Sequence, residues 1–268
     1  LTEDVREAVK KKNTGIDSST VFLSAIHTHT APYFNTGSLP GLESRFAPSE
    51  EGVLTPEEYH ALLVEEISNA VVEANTNMAE GFSVQTGVSP TATGCCRRGI
   101  IQTGEAVMYI DSSREDFVRM EGPDGGPINL MYFRDGQDTL KGVVACVPCT
   151  AQVLEHQFYI SSDYVGRVRE MVKEKYGKDF FYFPIISAAG DLSPRNLVTK
   201  DYGFGNMYDK DGADNMAKRI FHAIVYEEDR PVEKITDFSK FAVAVKHISL
   251  PGWIPTEEEY KWALTLKD

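Results

Sequence analysis

Short apolar runs alternate with longer amphipathic stretches along the chain, and this alternation is the feature that most restricts its fold. Runs of four to eight residues that are rich in β-branched and aromatic side chains predict buried strands. They lie at 20–26, 82–87, 107–110, 128–134, 140–147, 180–187 and 241–248. Because several of them are separated by helical crossovers, we expect an α/β fold with a mixed β-sheet and flanking helices.

Helix signals fall between these runs. Thr55-Pro56-Glu57-Glu58 has a capping residue, a proline in the first turn and acidic residues near the positive end of the helix dipole. Apolar residues three and four apart, closed by Gly177, predict a helix over 163–176. Further helices are expected at 1–12, 55–75, 212–226 and from 256 onward, a hairpin turn at 135–138, and loops at 33–54 and 89–104.

The length and charge exclude several classes of protein. The 268 residues can bury a full core, and 40 acidic against 27 basic residues give a net charge of −13. This balance argues against nucleic acid as a partner and against binding to anionic lipid through a basic patch. No apolar run approaches the roughly 18 residues of a transmembrane segment.

The two ends of the sequence lie within helix-like stretches. It starts at Leu1 without a Met and stops at Asp268, soon after a helix begins. We therefore expect 1–268 to be a single α/β domain that is part of a longer protein. The cellular compartment is not predicted, because targeting signals can lie outside such a piece.

The strand predicted at 20–26 runs directly into His27-Thr28-His29. Ligands in open α/β sheets bind beyond the carboxyl ends of strands. On an extended backbone, residues two apart point to the same side, so both imidazoles can face one point. This pattern favours a metal site or a catalytic site.

A second strand end carries the segment from Gly190 to Asn196, Gly-Asp-Leu-Ser-Pro-Arg-Asn. Asp191 is a candidate base or orienting group, and Ser193 a candidate nucleophile or hydrogen-bonding group. Arg195 is suited to holding an anion or a carbonyl oxygen. The segment is therefore a candidate wall of the same site.

A third strand end contains Cys146-Val147-Pro148-Cys149. Three interpretations stay open: a redox pair of the thioredoxin type, a four-thiolate metal site completed by Cys95 and Cys96, or a single Cys149 that lines the pocket as a soft ligand. Cys146 on its own is expected to be a small buried residue.

The ordered set of His27-Thr28-His29, the Ser162-Asp163 pair that opens a helix, and the segment 190–196 resembles the catalytic domain of the neutral/alkaline ceramidases. These are zinc-dependent amidases that cleave N-acylsphingosine. The resemblance covers most of the chain from Leu1 to about residue 215, and is closest to the shorter bacterial ceramidase-like proteins of unassigned substrate.

The resemblance implies a zinc ion held by His27, with His29 beside the metal and in contact with substrate. The family's other histidine ligand falls at Cys149. Either the Cys149 thiolate replaces it, or His156 takes its place, or the metal has been lost. The family's glutamate and tyrosine ligands lie further downstream, and nothing after Trp253 matches them. The resemblance therefore implies that the chain lacks a strand upstream of Leu1 and the downstream part that would carry these ligands.

The resemblance also implies roles for residues around the metal. Ser193 matches a serine assigned as nucleophile or substrate anchor, and Asp191 matches the acid of the same segment. Arg97 and Arg98 fall near an arginine-bearing loop and are expected to meet an anionic part of the substrate.

Together these expectations predict hydrolysis of a linear amide in a small-molecule or lipid-like substrate by zinc-activated water. Two alternatives stay open: a serine hydrolase that uses Ser193 with His29 as base, and a binding or vestigial member of the family. The sequence identifies neither the acyl group nor the amine.

Overall fold

A computed structural model describes residues 1–12, 14–32, 34, 52–198, 207–230, 234–239 and 241–266. The helices of this part are α1 (Thr2–Lys11), α2 (Pro56–Thr76), α3 (Asp163–Tyr176), α4 (Asp209–Glu228) and α5 (Glu257–Thr265). None of the helices in these ranges combines the length and apolar character needed to cross a membrane.

The strands are short and belong to three sheets. In chain order they are β1 (Ser83–Ser89), β2 (Cys95–Cys96), β3 (Arg98–Ile101), β4 (Ala106–Met108), β5 (Phe117–Met120), β6 (Ile128–Arg134), β7 (Leu140–Val147), β8 (Phe181–Ile186), β9 (Leu192–Ser193) and β10 (Lys234–Ile235). The main sheet has the order β10-β1-β6-β7-β8, while β2 pairs with β9, and β3 lies between β4 and β5.

The main sheet is mixed, as the sequence predicts. β6 and β7 form an antiparallel hairpin, while β7 and β8 run parallel and are joined through α3. A parallel pair needs such a crossover because both strands must start at the same end. The mixed α/β class and the bounds of β6, β7 and α3 are therefore confirmed.

One face of the main sheet carries the principal core. α3 and α4 pack against each other and against the sheet. The core contains the inward side chains of β6, β7 and β8 together with Cys149, Val153 and Leu154 from the loop after β7. The Tyr132 hydroxyl donates to the Ile224 carbonyl oxygen at 2.6 Å, which fixes α4 over β6. A second apolar cluster lies between α1 and α2.

The predicted helix caps are confirmed. The Thr55 hydroxyl accepts from the Glu58 N–H and the Glu58 carboxylate accepts from the Thr55 N–H, a complete capping box for α2. Thr256 and Glu259 form the same box for α5. Capping predicts these starts well because it depends on neighbouring residues alone.

The prediction of a strand at 20–26 is wrong. The segment contains the end of a 3₁₀ turn and then an extended backbone without ladder pairing, and Phe22 is 59% exposed. A strand needs a partner as well as apolar residues, and this segment makes one backbone bond to the region after β7, between the Ile26 carbonyl and the Ala151 N–H.

Three other assignments also change. Residues 241–248 form no strand, and their apolar side chains are exposed. The loop predicted at 89–104 contains β2, whose partner β9 lies far along the sequence, and β3, which pairs with the nearby β4 and β5. β5 has no counterpart among the predicted strands. The loop predicted at 33–54 falls largely outside the described residues.

Candidate functional site

The site lies at the carboxyl ends of β7 and β8. These parallel strands finish side by side, with Val147 opposite Ile186, so the segments that follow them begin at one edge of the sheet. The segment 27–30 reaches the same edge, where the Ser161 N–H donates to the Thr30 carbonyl oxygen at 2.9 Å. The structure therefore brings together all three segments that the sequence singled out.

The two histidines of the His-x-His segment lie next to each other and are exposed. Their ring centroids are 5.1 Å apart with an interplanar angle of 45°. His27 has a φ of 61°, a left-handed conformation that is uncommon for residues other than glycine. The Thr28 hydroxyl donates to the Ser161 carbonyl oxygen at 2.7 Å and so helps to hold this turn.

Partial burial, followed by the nearby positive charges of His29 and Arg97, lowers the pKa of His27. A neutral imidazole keeps a lone pair that can bind a metal ion or accept a proton. The environment of His27 thus favours the form that either role requires.

Glu155 lies in a cluster of side chains at this edge, which comprises His27, His29, Arg97, Tyr109, Gln152, Glu155 and Arg195. It was not among the predicted site residues. Its Oε2 lies 3.3 Å from Nδ1 of His29 and accepts from the Gln152 amide at 3.2 Å. Its Oε1 pairs with the Arg195 guanidinium. The feature of the sequence that could have indicated Glu155 is its position, eight residues after the end of β7.

Gln152 connects Glu155 to Tyr109, the residue that follows β4. The Gln152 side chain is buried, and its amide nitrogen also faces the Tyr109 hydroxyl at 3.1 Å. Its carbonyl oxygen accepts from the Thr150 hydroxyl. Both ends of this buried amide are therefore hydrogen-bonded, and its nitrogen is the end that faces Glu155 because a carboxylate can only accept.

The loop that carries Glu155 is anchored on both sides. Val153 and Leu154 are buried in the principal core. The Asp163 carboxylate accepts from the backbone N–H groups of Leu154 and Tyr164, each at 2.7 Å. The Ser-Asp pair that contributed to the family resemblance thus holds the loop beside the candidate site.

The predicted arginines occupy different places. Arg195 lies between two aromatic rings, 5.3 Å from the Tyr109 centroid and 4.4 Å from that of Tyr208. Arg97 donates to the Gly190 carbonyl oxygen at 2.8 Å and contacts the Tyr109 hydroxyl at 3.4 Å. Arg98 pairs with Glu121 and lies outside the cluster, because adjacent residues on extended backbone point to opposite sides.

The Asp191 and Ser193 side chains differ in accessibility. Asp191 is exposed, and its carbonyl oxygen accepts from the Arg97 N–H at 3.0 Å. Ser193 is fully buried on β9, opposite Cys95, and its hydroxyl accepts from the Arg195 N–H at 3.2 Å. This position does not favour Ser193 as a nucleophile, since a nucleophile must be within reach of both a base and the substrate.

Cys149 faces the core instead of the cluster. It is fully buried, its thiol lies 3.5 Å from the Thr150 carbonyl oxygen, and burial raises its pKa. Metals bind the thiolate, so the surroundings of Cys149 oppose a ligand role. All four cysteines are free, and burial, then the charge of Asp124, raises the pKa of Cys95 to about 11.

Within the described ranges, no group of three or more His, Cys, Asp and Glu side chains is arranged to hold a metal ion. His27 and His29 supply two imidazoles, whereas zinc sites in proteins take three or four protein ligands. These residues therefore do not make a complete zinc site, and the remaining ligands would have to come from outside the described part of the chain.

The cluster has groups suited to acid–base chemistry. An exposed imidazole backed by a carboxylate can accept a proton, and a nearby guanidinium can stabilise a developing negative charge. His29, Glu155 and Arg97 provide these three groups near the carboxyl edge of the sheet.

Two solved structures share this fold. A neutral ceramidase from Pseudomonas aeruginosa matches with a TM-score of 0.59 and 19% identity, over 88% of this chain and 35% of the ceramidase. A ceramidase complexed with C2 matches with a TM-score of 0.60 and 15% identity, over the same shares. The chain thus spans about a third of the length of these ceramidases.

Neither the family models nor the curated proteins include a match to the sequence. At identities of 19% and 15%, the structural matches establish a common fold. The chain has the mixed α/β fold found in neutral ceramidases.

Proposed function

We propose that the protein is a metal-dependent hydrolase of linear amides. The observation that carries this proposal is the convergence of His27, His29 and Glu155 at the carboxyl edge of β7 and β8, in a fold shared with ceramidases. The substrate we expect is a small-molecule or lipid-like N-acyl amide. N-acylsphingosine is one candidate, because the structural neighbours are ceramidases.

In this proposal His27 is a metal ligand, and His29 lies beside the metal. A bound zinc ion would supply a water molecule of lowered pKa and polarise the scissile carbonyl. The described residues supply at most two of the donor atoms that such a zinc ion needs.

His29 accepts the proton of the attacking water, with Nδ1 facing Glu155 and Nε2 free to act as the base. Arg97 lies close enough to influence His27, and in this proposal its guanidinium stabilises negative charge on the carbonyl oxygen. Proton transfer to the amine as it leaves completes the hydrolysis and yields a carboxylic acid and an amine.

A non-catalytic binding protein is the second candidate. The observation in its favour is the buried Cys149 at the position where the resembling family has a histidine ligand. A serine hydrolase has less support, because Ser193 is buried and bonded within its own turn.

Metal content distinguishes the first two candidates. The full chain, purified without chelator and dialysed against zinc, should retain about one zinc per chain, while His27→Ala should retain much less. His222→Ala, an exposed histidine on α4, is the matched control and should bind as the wild type does. Zinc binding that is equal in all three proteins, or absent from all three, would contradict the assigned metal site.

A further inference from the structure

The Glu155 carboxylate gathers side chains from three separate segments. His29 comes from the segment before α2, Gln152 from the loop after β7, and Arg195 from the segment after β9. The carboxylate is 14% exposed, so these contacts are only partly screened by water. A carboxylate in this position controls the geometry of every group that touches it.

We propose that Glu155 is a positioning residue, which fixes the tautomer and ring orientation of His29 and holds Arg195 against the cluster. The catalytic consequence depends on the proposed amidase function, while the structural consequence for His29 does not. Glu155 itself is not placed to touch the substrate, because its oxygens already face protein nitrogens.

The two carboxylate oxygens have separate partners. Oε2 faces Nδ1 of His29 and the Gln152 amide, while Oε1 pairs with Arg195. A carboxylate accepts hydrogen bonds and donates none, so it favours the His29 tautomer with its proton on Nδ1. Nε2 is then left with its lone pair, and His29 is 39% exposed.

Glu155 can impose this orientation because it is itself held in place. The Gln152 amide nitrogen donates to Glu155, whose carboxylate can only accept, and the Gln152 oxygen accepts from the Thr150 hydroxyl. The loop is fixed from the other side by the Asp163 carboxylate, which accepts from the Leu154 N–H. A carboxylate can orient a neighbouring side chain only when its own position is fixed by contacts of this kind.

Two charged groups besides His29 face Glu155. His156 lies 3.6 Å from Oε1 and also contacts the Arg195 guanidinium at 2.9 Å, but it is 70% exposed. Arg195 balances the charge of the carboxylate and is stacked between Tyr109 and Tyr208. The pair of Glu155 and Arg195 is therefore the stable part of the cluster, and His29 is the side chain that it orients.

Nitrogen-15 NMR of the histidine-labelled full chain tests the proposal without any substrate. At about pH 8.5, where an ordinary imidazole is neutral, the His29 signals should report the Nδ1–H tautomer. They are assigned by their loss in His29→Ala. In Glu155→Gln the same signals should shift toward a mixture in which the Nε2–H tautomer predominates, as in free imidazole side chains.

Two other variants keep this experiment decisive if Glu155→Gln unfolds. Arg195→Met removes the ion pair but leaves Glu155, so the Nδ1–H tautomer of His29 should persist. Glu174→Gln, an exposed change on α3, should leave all histidine signals unchanged. A His29 tautomer that is the same in wild type and Glu155→Gln, or that is lost in Arg195→Met, would overturn the proposal.

Kinetics separate this inference from the proposed function. If the wild type hydrolyses an N-acyl amide, Glu155→Gln should lower kcat by about 10- to 100-fold and change KM by less than about threefold, while Glu155→Asp should recover part of the loss. A loss confined to KM would contradict a positioning role. A wild type without amidase activity would remove the proposed function and leave the tautomer result to stand alone.

Discussion

Nδ1 of His29 lies 3.3 Å from Oε2 of Glu155, across the carboxyl edge of the main sheet. The contact joins the exposed His-x-His segment to a loop whose apolar side chains are buried in the principal core. It therefore connects an exposed imidazole to the part of the cluster that the core holds in place. This connection is a structural basis of the proposed function.

The two capping boxes should differ in their effect on stability. Thr55→Ala removes the cap of α2, which packs against α1, and should lower the free energy of unfolding by about 1 kcal/mol. Thr256→Ala removes the same cap from α5, which buries no residue, and should leave the global unfolding transition unchanged. Urea titration of both variants measures this, and equal losses would contradict the assignment of α5 as a helix that contributes nothing to the core.

Gly94 marks a close approach between two backbones. A Cβ atom there would lie 2.1 Å from the Pro148 carbonyl oxygen, which cannot move aside like a flexible side chain. Gly94→Ala should therefore cost about 1–3 kcal/mol of stability. The control is Gly126→Ala, where a Cβ meets nothing within 4 Å. Equal stability of the two variants would show that β2 and the loop after β7 are further apart than described.

The thiol of Cys149 should be unreactive in the folded protein. It is fully buried and its pKa is raised, whereas Cys146 is only half-buried. Iodoacetamide at pH 8, followed by peptide mass spectrometry, should label Cys149 at least about 100-fold more slowly than in the urea-unfolded chain. Rapid labelling of native Cys149 would instead support the ligand role that the family resemblance implies.

The two adjacent arginines should differ in their effect on catalysis. Arg97→Met removes a cation that contacts Tyr109 and Gly190 in the cluster and is proposed to stabilise the carbonyl oxygen, so the substitution should lower kcat at least about tenfold. Arg98→Met removes a partner of Glu121 outside the cluster and should leave kcat within about twofold. Steady-state kinetics on any N-acyl amide that is hydrolysed makes the comparison. A larger effect at Arg98 would place the substrate on the other side of the strand.

The elements that could be predicted from the sequence are those whose signals are local. β6, β7 and α3 have strong periodicity and clear turns, and their observed bounds agree with the predicted ones. The run 20–26 has the residues of a strand but finds no ladder partner. β2 and β9 were missed for the opposite reason, because a two-residue pairing between distant segments leaves no pattern in either one.

The position of the site could be predicted better than its members. Strand ends at His27, Cys149 and Asp191 indicated one edge of the sheet, and the structure brings these segments together there. The burial of Cys149 and the central place of Glu155 could not be predicted. The direction of a side chain after a strand depends on the backbone conformation of the loop, and the residue pattern did not predict that conformation here.

Amide hydrolysis by the full chain tests the central claim most directly. Release of amine from a set of N-acyl amides, N-acylsphingosine included, is measured with added zinc for wild type, His29→Ala and the control His222→Ala. We predict hydrolysis by wild type and His222→Ala, abolished by chelator, and a rate at least about 100-fold lower for His29→Ala. Hydrolysis that is unaffected by His29→Ala, or no hydrolysis of any amide by the zinc-loaded wild type, would contradict the account.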